Sequence, residues 1–201
     1  MPINRTQLQR FLREALSLAF FIVTILAARS TLADHYYVPS GSMEYTLIAG
    51  DRVVVDKRAY GVRVPFTNLK LTDGAPIERG DIVIFDSPRD GTRLIKRIVA
   101  VGGDEVLIRD GHLAINGLWL RSPDGNDLEK IGEKTVQLNL ADGGGPSLAM
   151  TVENGQVLAI GDHRGNSLDG RVFGPVASDE VYGRAVAVYY RRESGFVWRE
   201  L

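Results

Sequence analysis

The chain has 201 residues and a formal net charge of −1, which suits one domain with or without an anchor. Lys and Arg number 24 against 25 Asp and Glu, so no overall field favours nucleic acid as a partner. The absence of cysteine excludes thiol catalysis, thiolate zinc sites and disulfides.

An uncharged apolar run, Ala15 to Ala28, comes first along the chain. It is shorter than the ~20 residues that cross a bilayer, but extension to residues 11–32 gives sufficient length. Arginines precede the run, and the positive-inside tendency then predicts residues 1–10 in the cytoplasm, a transmembrane anchor over 11–32 and an extracytoplasmic body over 34–201. A buried core helix and a cleavable secretory signal are the alternatives.

Short runs rich in β-branched residues, each ended by turn residues, follow the anchor. Together they predict a mainly β body of antiparallel sheets, closed or folded over into a barrel-like form. Residues 121–147 are polar and glycine-rich, which predicts a flexible excursion. The predicted strands lie in residues 51–61, 80–88, 92–108 with a break at Gly102-Gly103, 112–120 around Asn-Gly, and the later segments QVLAIGD and RAVAVYYRR.

Two serines flank a glycine in the segment VPSGSMEYTL, residues 38–47. A polar turn is the simple interpretation, and a nucleophilic serine is the functional one, which requires a group that accepts the hydroxyl proton. The three histidines are His35, His112 and His163, with no metal-ligand spacing, so no metal site or cofactor is expected. Only His163 has a polar setting that suits a base, and an exposed loop histidine is its simpler interpretation.

A lysine in an apolar strand is the other possible base. Lys96 lies in LIKRIVAV, where strand alternation places it on the face of Ile98 and directs Arg97 the other way. A lysine amine normally has a pKa near 10.4, and burial lowers that pKa because it disfavours the charged form. We expect Lys96 to be half buried, with a surface lysine on an edge strand as the alternative.

The motifs of the chain, taken in order, resemble those of bacterial type I signal peptidase. The resemblance extends from the apolar run to about Pro175, and no motif is out of order. It rests on the segments PSGSMEYTL, GDRVVVDKRAYG, RGDIVIFDSP, LIKRIVAVGGD and GDHRGNSLDGRVFG.

This resemblance implies a membrane-bound serine endopeptidase that removes signal peptides from exported precursors, in the cytoplasmic membrane of a bacterium. Ser42 would be the nucleophile and Lys96 the general base. The hydroxyl of Ser40 and the backbone N–H of Ser42 would form the oxyanion hole, with each such donor worth about 3–4 kcal/mol in the transition state. Ser167 would orient the lysine amine, and an Asp169–Arg171 pair would brace that loop.

Implied partners are precursors with small side chains before the cut and the lipid bilayer, without a cofactor. An extended substrate segment would add as a strand beside the nucleophile turn and the lysine strand. The family's optional second β domain would be reduced to a hairpin within residues 105–157. The implied substrate-binding residues are Val38, Pro39, Met43, Arg93, Leu94 and Ile95. The departures from the family motifs are Tyr45, His163, Gly165, Gly170 and Phe173.

Other functions fit parts of the sequence. A specialised pilin-maturing protease of conjugation systems shares the Ser–Lys arrangement. A self-cleaving Ser–Lys repressor protease would need a DNA-binding domain where this chain has an apolar run. A serine–histidine variant that uses His163, and a non-catalytic membrane-tethered β module that binds extended peptides, remain as further hypotheses.

Overall fold

The computed structural model describes residues 5–31, 33–64, 67, 69–123 and 127–201. Helix α1 spans Arg5–Thr31, and the short helix α2 spans Gly170–Phe173. Within the described ranges, no helix combines the length and apolarity needed to cross a bilayer. The predicted transmembrane anchor over 11–32 is therefore not supported. The predicted cytoplasmic segment 1–10 lies partly outside the described residues, because it includes 1–4.

The rest of the described chain is mainly β, as predicted. All fourteen strands of the described residues are nine residues long or shorter, and the lysine strand β4 is one of the two longest. The strands are β1 Ala33–Tyr37, β2 Arg52–Asp56, β3 Ile82–Asp86, β4 Arg93–Val101, β5 Glu105–Arg109, β6 His112–Ile115, β7 Leu118–Trp119, β8 Leu128–Ile131, β9 Lys134–Gln137, β10 Leu148–Thr151, β11 Gln156–Ile160, β12 Val176–Ala177, β13 Gly183–Arg191 and β14 Gly195–Glu200.

The main sheet has the order β1-β2-β13-β3-β4-β11-β12, and β14 also pairs with β13. All its strand pairs are antiparallel. The two end strands of this order, β1 and β12, are not paired with each other, so the sheet does not close. The barrel-like form predicted from the sequence is wrong in this respect.

Residues 105–157 form more than the predicted single hairpin. They contain the four-stranded sheet β10-β5-β6-β7 and the separate pair β8–β9. The flexible excursion predicted over 121–147 is likewise wrong for β8 and β9. The strand pattern of β8 was hidden because its inward positions are Glu129 and Ile131, and the buried Glu129 is paired with Arg164 rather than replaced by an apolar residue.

The hairpin predicted at Asn-Gly is confirmed between β6 and β7. Asn116 and Gly117 have φ angles of 52° and 80°, the left-handed values of a type I′ turn. The break predicted at Gly102-Gly103 is also confirmed, since β4 ends at Val101 and β5 begins at Glu105.

Strand β4 lies at the centre of the hydrophobic core. Its residues contribute to three separate clusters, with Ile95 in one, Ile98 in a second, and Val99 in the third. Both faces of the strand are therefore covered from Ile95 onward, and a polar side chain in that part is removed from water. This position determines the environment of Lys96.

Candidate active site

The turn that carries Ser42 follows β1 and is pinned to the sheet by backbone hydrogen bonds. The N–H of Val38 donates to the C=O of Asp51, and the C=O of Val38 accepts from Gly50, both at 2.9 Å. Met43 and Leu47 are fully buried in the same cluster as Ile95. These buried apolar side chains, which follow Ser42 in the chain, thus hold the turn on the core.

Lys96 and Ser42 are brought together from positions 54 residues apart in the chain. Lys96 lies in β4 opposite Val83 of β3, and its Nζ is 2.5 Å from Oγ of Ser42. Their exposed fractions are only 3% and 7%. Lys96 was predicted to be half buried, and burial is more complete because clusters cover both faces of β4.

Burial lowers the pKa of Lys96 to about 8. The negative charges of Asp169 and Asp162 oppose that shift, and the positive charge of Arg171 adds to it. At a pKa of about 8, roughly a tenth of the amines are neutral at pH 7, against less than ~0.1% for an ordinary lysine. The side chain is therefore equipped to accept a proton from the hydroxyl beside it.

A buried ion pair behind Lys96 was missed by the sequence interpretation. Arg97 binds Asp162 through two hydrogen bonds of 2.9 and 2.8 Å, and the side chains are 4% and 1% exposed. Thr46 of the nucleophile turn donates to Asp162 at 2.5 Å and accepts from Arg97. The available signal was the presence of a charged residue in each of two apolar segments, Arg97 after Lys96 and Asp162 after Gly161. The ion pair connects the turn that carries Ser42, strand β4 and the loop after β11.

The predicted Asp169–Arg171 brace is present as a fully buried pair. Arg171 donates to Asp169 through Nε and Nη2 at 2.9 and 2.8 Å, and Asp169 also caps helix α2. Burial raises the pKa of Asp169, but hydrogen bonds and the charge of Arg171 outweigh burial, and the pKa is lowered overall. The carboxylate is therefore held ionised close to the Lys96 amine.

Among the described residues, no hydrogen bond joins Ser167 to Lys96, and the expected role of Ser167 in orienting the amine stays a prediction. Its buried Oγ has no hydrogen-bond partner among the described residues. The hydroxyl instead packs against Gly161, where an added Cβ would lie 2.3 Å from Ser167 Oγ and 2.4 Å from Ser42 O. This close approach shows why only glycine fits at the start of the loop.

His163 is buried, not exposed as the simpler interpretation had it. Its backbone N–H donates to the C=O of Ser42 at 3.1 Å. Nε2 of the ring lies 2.9 Å from Asp142, and Nδ1 lies 3.5 Å from Glu44. The ring therefore joins the turn that carries Ser42 to the loop before β10, while the amine of Lys96 is the group that contacts the Ser42 hydroxyl.

Two of the other departures follow from close backbone packing against the same loop. A Cβ on Gly165 would lie 2.2 Å from the C=O of Asp142, and one on Gly170 would lie 2.6 Å from the side chain of Leu158. A larger residue at Gly165 would therefore collide with backbone, whereas one at Gly170 would require the Leu158 side chain to shift. Tyr45 is 55% exposed, so its ring lies at the surface.

Ser40 lies beside Ser42, with its hydroxyl donating to Ser42 Oγ at 3.3 Å. Ser40 itself is exposed. Among the described residues, no acceptor takes the backbone N–H of Ser42. Two donors are thus available where a carbonyl oxygen would lie next to Ser42.

Before Arg97, the edge of β4 that faces away from β3 is unpaired, and we call it the open side of β4. It lies next to Lys96 and therefore next to Ser42. Strand β11 pairs with β4 only from Arg97 onward, because the chain leaves the sheet after Ile160. Thr92 and Ile98 form backbone hydrogen bonds on the β3 side. Since successive residues of a strand point to opposite sides, Arg93 and Ile95 present their N–H and C=O groups to the open side.

The implied substrate-binding residues fall into two groups. Pro39 and Arg93 are exposed and Leu94 is half-buried, whereas Met43 and Ile95 are buried beneath the open side. The Arg93 guanidinium pairs with Asp86 at 2.8 Å.

Both the N–H and the C=O of Val38 already form hydrogen bonds to the turn before β2. Its role in substrate binding stays a prediction, in which the C=O would accept a second hydrogen bond.

A family model described as signal peptidase, peptidase S26, matches residues 11–190. Signal peptidase I of Pseudomonas fluorescens is 33% identical over 195 aligned residues, which cover 84% of this chain and 68% of that protein. Probable signal peptidase I-2 of Synechocystis is 30% identical, with the same shares.

Thylakoidal processing peptidase 1 of Arabidopsis thaliana is 32% identical over 86% of this chain and 46% of its own length. A crystal structure of a signal peptidase I from Enterococcus faecalis is similar with a TM-score of 0.41 and 27% identity, over 55% of this chain and 97% of that one.

Proposed function

The chain belongs to the signal peptidase family, peptidase S26, and we propose that it removes signal peptides from exported precursors with Ser42 as nucleophile and Lys96 as general base. The observation that carries this assignment is the 2.5 Å contact between a buried amine and a buried hydroxyl. A non-catalytic peptide-binding module would have no use for such a pair, since burying an unpaired lysine is costly.

In the proposed reaction, the neutral Lys96 amine takes the proton of Ser42 as Oγ attacks the scissile carbonyl. The tetrahedral intermediate then collapses: the C–N bond breaks, the Lys96 ammonium gives its proton to the leaving amine, and an acyl ester remains on Ser42. Water, deprotonated by the same amine, hydrolyses this ester, and the proton returns to Ser42 Oγ as the carboxylate leaves. The Ser42 N–H and the Ser40 hydroxyl stabilise the developing oxyanion. The Ser40 hydroxyl rotates away from Ser42 Oγ, which it contacts in the free protein, to do so.

The Asp169–Arg171 pair supports the amine rather than reacting. It holds the loop after β11 against β4, and its two charges act on the Lys96 pKa in opposite directions. Proton transfer therefore depends on both charges being kept in place.

The substrate would bind as an extended strand on the open side of β4, with backbone hydrogen bonds to Ile95. Pro39 and Leu94 would flank that strand, while Met43 forms its apolar floor. Because Met43 fills the space beneath the bound strand, only a shallow pocket remains for the substrate side chains. A shallow pocket fits the small side chains expected before the cut.

Substitution of the two reacting residues tests the assignment. Cleavage of a precursor with an Ala-x-Ala site should fall by about 10³-fold or more in each of three variants, Ser42→Ala, Lys96→Ala and Lys96→Arg. The arginine variant is included because guanidinium does not release its proton near neutral pH. Lys130→Ala is the matched control, since that lysine is exposed on β8.

Processing is measured by gel shift of the precursor, and melting curves confirm that each variant is folded. Cleavage that persists in the Lys96 variants would remove lysine as base and return attention to His163. A folded wild-type protein that yields no product would favour the binding module.

We also propose that helix α1 contacts lipid and that the catalytic body lies on the extracytoplasmic side of the membrane. The support is a set of large apolar side chains on this helix that are exposed. They include Phe20, which is 74% exposed, and its neighbours Phe21 and Ile22. The protein should sediment with membranes of expressing cells. Alkaline carbonate then separates a lipid-embedded helix, which stays in the pellet, from peripheral contact, which is released. Recovery in the supernatant before carbonate treatment would contradict lipid contact.

A further inference from the structure

A tyrosine hydroxyl already occupies part of the open side of β4. Tyr36 Oη donates a hydrogen bond of 2.9 Å to the C=O of Arg93. That carbonyl is one of the groups that β4 directs away from β3, in the half of the strand that β11 does not reach. A side chain of β1 thus satisfies a backbone acceptor that an added strand would otherwise use.

Both residues of this hydrogen bond, Tyr36 and Arg93, have further contacts. The Tyr36 ring is half-buried against the cluster that contains Met43 and Ile95. The Arg93 side chain is turned away, with its guanidinium on Asp86 and over the ring of Tyr182 at 4.6 Å. The Tyr36 ring and the Arg93 side chain are thus each held by further contacts beside the hydrogen bond.

The contact lies a short distance from the reacting pair along the same strand. Lys96 follows Ile95 directly, and Arg93 is two residues before Ile95, or about 7 Å along a strand. A peptide bound at Ser42 would meet the free groups of Ile95 first and the occupied carbonyl of Arg93 next.

We propose that Tyr36 is a specificity-determining residue that limits the length of substrate backbone the protein recognises. Its hydroxyl caps Arg93, so a bound segment gains backbone hydrogen bonds from Ile95 but none from Arg93 unless the cap is displaced. This inference rests on the proposed function. Recognition then depends on the few residues nearest the cut, and precursors that differ farther away are bound alike.

Tyr36→Phe tests the cap because it retains the ring and removes only the hydroxyl. Two peptides with the same Ala-x-Ala site are compared, one long on both sides of the cut and one too short to reach Arg93. The variant should lower KM for the long peptide about three- to tenfold, as expected for one added hydrogen bond, and the gain should be absent with the short peptide. Tyr37→Phe is the matched control, because this neighbouring tyrosine is 59% exposed.

An equal KM for the long peptide in wild type and variant would overturn the cap, since a carbonyl with two lone pairs would then be accepting both donors. A higher KM in the variant would overturn it as well, because the hydroxyl would then bind substrate itself. Equal gains for both peptides would likewise refute a length limit.

Binding of a non-hydrolysable long peptide is measured beside cleavage, so that the two proposals fail separately. Selective tightening in Tyr36→Phe without cleavage by any form would support the cap and refute the proposed function. Cleavage by the wild type with no selective effect of Tyr36→Phe would support the function and refute the cap. Melting curves of both tyrosine variants confirm that the fold is retained.

Discussion

At the scale of single residues, Lys96 is placed where its ordinary charge is unfavourable. It is 3% exposed, and burial brings its pKa to about 8. The unfolded chain keeps this lysine protonated until about pH 10.4. The folded state therefore carries a cost at neutral pH that an apolar side chain would not carry.

We expect Lys96→Met to stabilise the protein by about 3 kcal/mol near pH 6.5, since a shift of about 2.5 pKa units corresponds to that free energy. Loss of the contact with Ser42 reduces this gain. Between pH 8 and 10.4 the unfolded wild type binds more protons than the folded one, so wild-type stability rises with pH and the advantage of the variant declines. Chemical unfolding at pH 6.5 and pH 10.5 measures both values.

The exposed Lys130→Met is the control for this comparison, and it should show no pH-dependent difference from wild type. An advantage of Lys96→Met that is the same at both pH values would mean that the amine titrates normally. The expected result would also identify stability that the protein gives up for a reactive amine.

How far the sequence predicted the site also depends on single residues. Lys96 was placed in a strand by the apolar pattern around it, and the resemblance of five motifs brought it to Ser42 across the chain. The burial of His163 and Glu129 was missed, because polar residues give no alternation signal when they are paired inside the protein. The tyrosine contact to Arg93 could not be foreseen, since it joins β1 to β4 across 57 positions.

At the scale of elements, helix α2 and the loop before it bring charges to Lys96. Arg171→Met would leave the Asp169 carboxylate buried without its partner, which typically costs about 3–5 kcal/mol. The positive charge of Arg171 lowers the Lys96 pKa and the negative charge of Asp169 raises it, so this variant should move the rising limb of the pH–rate profile above pH 8. Cleavage rates from pH 6 to 10 measure the midpoint.

Arg191→Met is the matched control, because it breaks a pair with the buried Asp51 that is not among the charges acting on Lys96. It should lower stability and leave the midpoint in place. A midpoint that is unmoved in Arg171→Met, or moved equally in both variants, would show that the pair acts on folding alone.

The elements themselves were predicted where local signals are strong. Asn116-Gly117 gave the hairpin, and Gly102-Gly103 gave the end of β4, because glycine and asparagine adopt the required left-handed backbone. Strands β8 and β9 were lost in a polar stretch, since Glu129 occupies an inward position of β8. Sheet closure was predicted wrongly, because strand count does not fix which strands pair.

At the scale of the whole molecule, the main sheet has an internal opening beside β4, where β11 ends. On the proposed function, a bound peptide fills that opening with a strand. A non-hydrolysable peptide at 100 times its Kd should therefore stabilise the protein by about 2.7 kcal/mol and raise its melting temperature. Hydrogen exchange of the Ile95 amide should slow at the same time.

Exchange that slows only far from β4, with the same rise in melting temperature, would place the peptide elsewhere. The amide of Ile98 serves as the internal control, because it already donates to the C=O of Asp81 on the β3 side. Its exchange should change little on binding.

The opening beside β4 also decides which parts of a client protein are accessible to cutting. Ile95 and Lys96 are nearly inaccessible, and β4 lies inside the sheet order rather than at its outer margin. A folded domain keeps its backbone occupied by its own hydrogen bonds and is too thick to insert between strands. Only an extended, unfolded segment of chain fits. The folded part of the exported protein is therefore protected from cleavage by its shape, whatever its side chains.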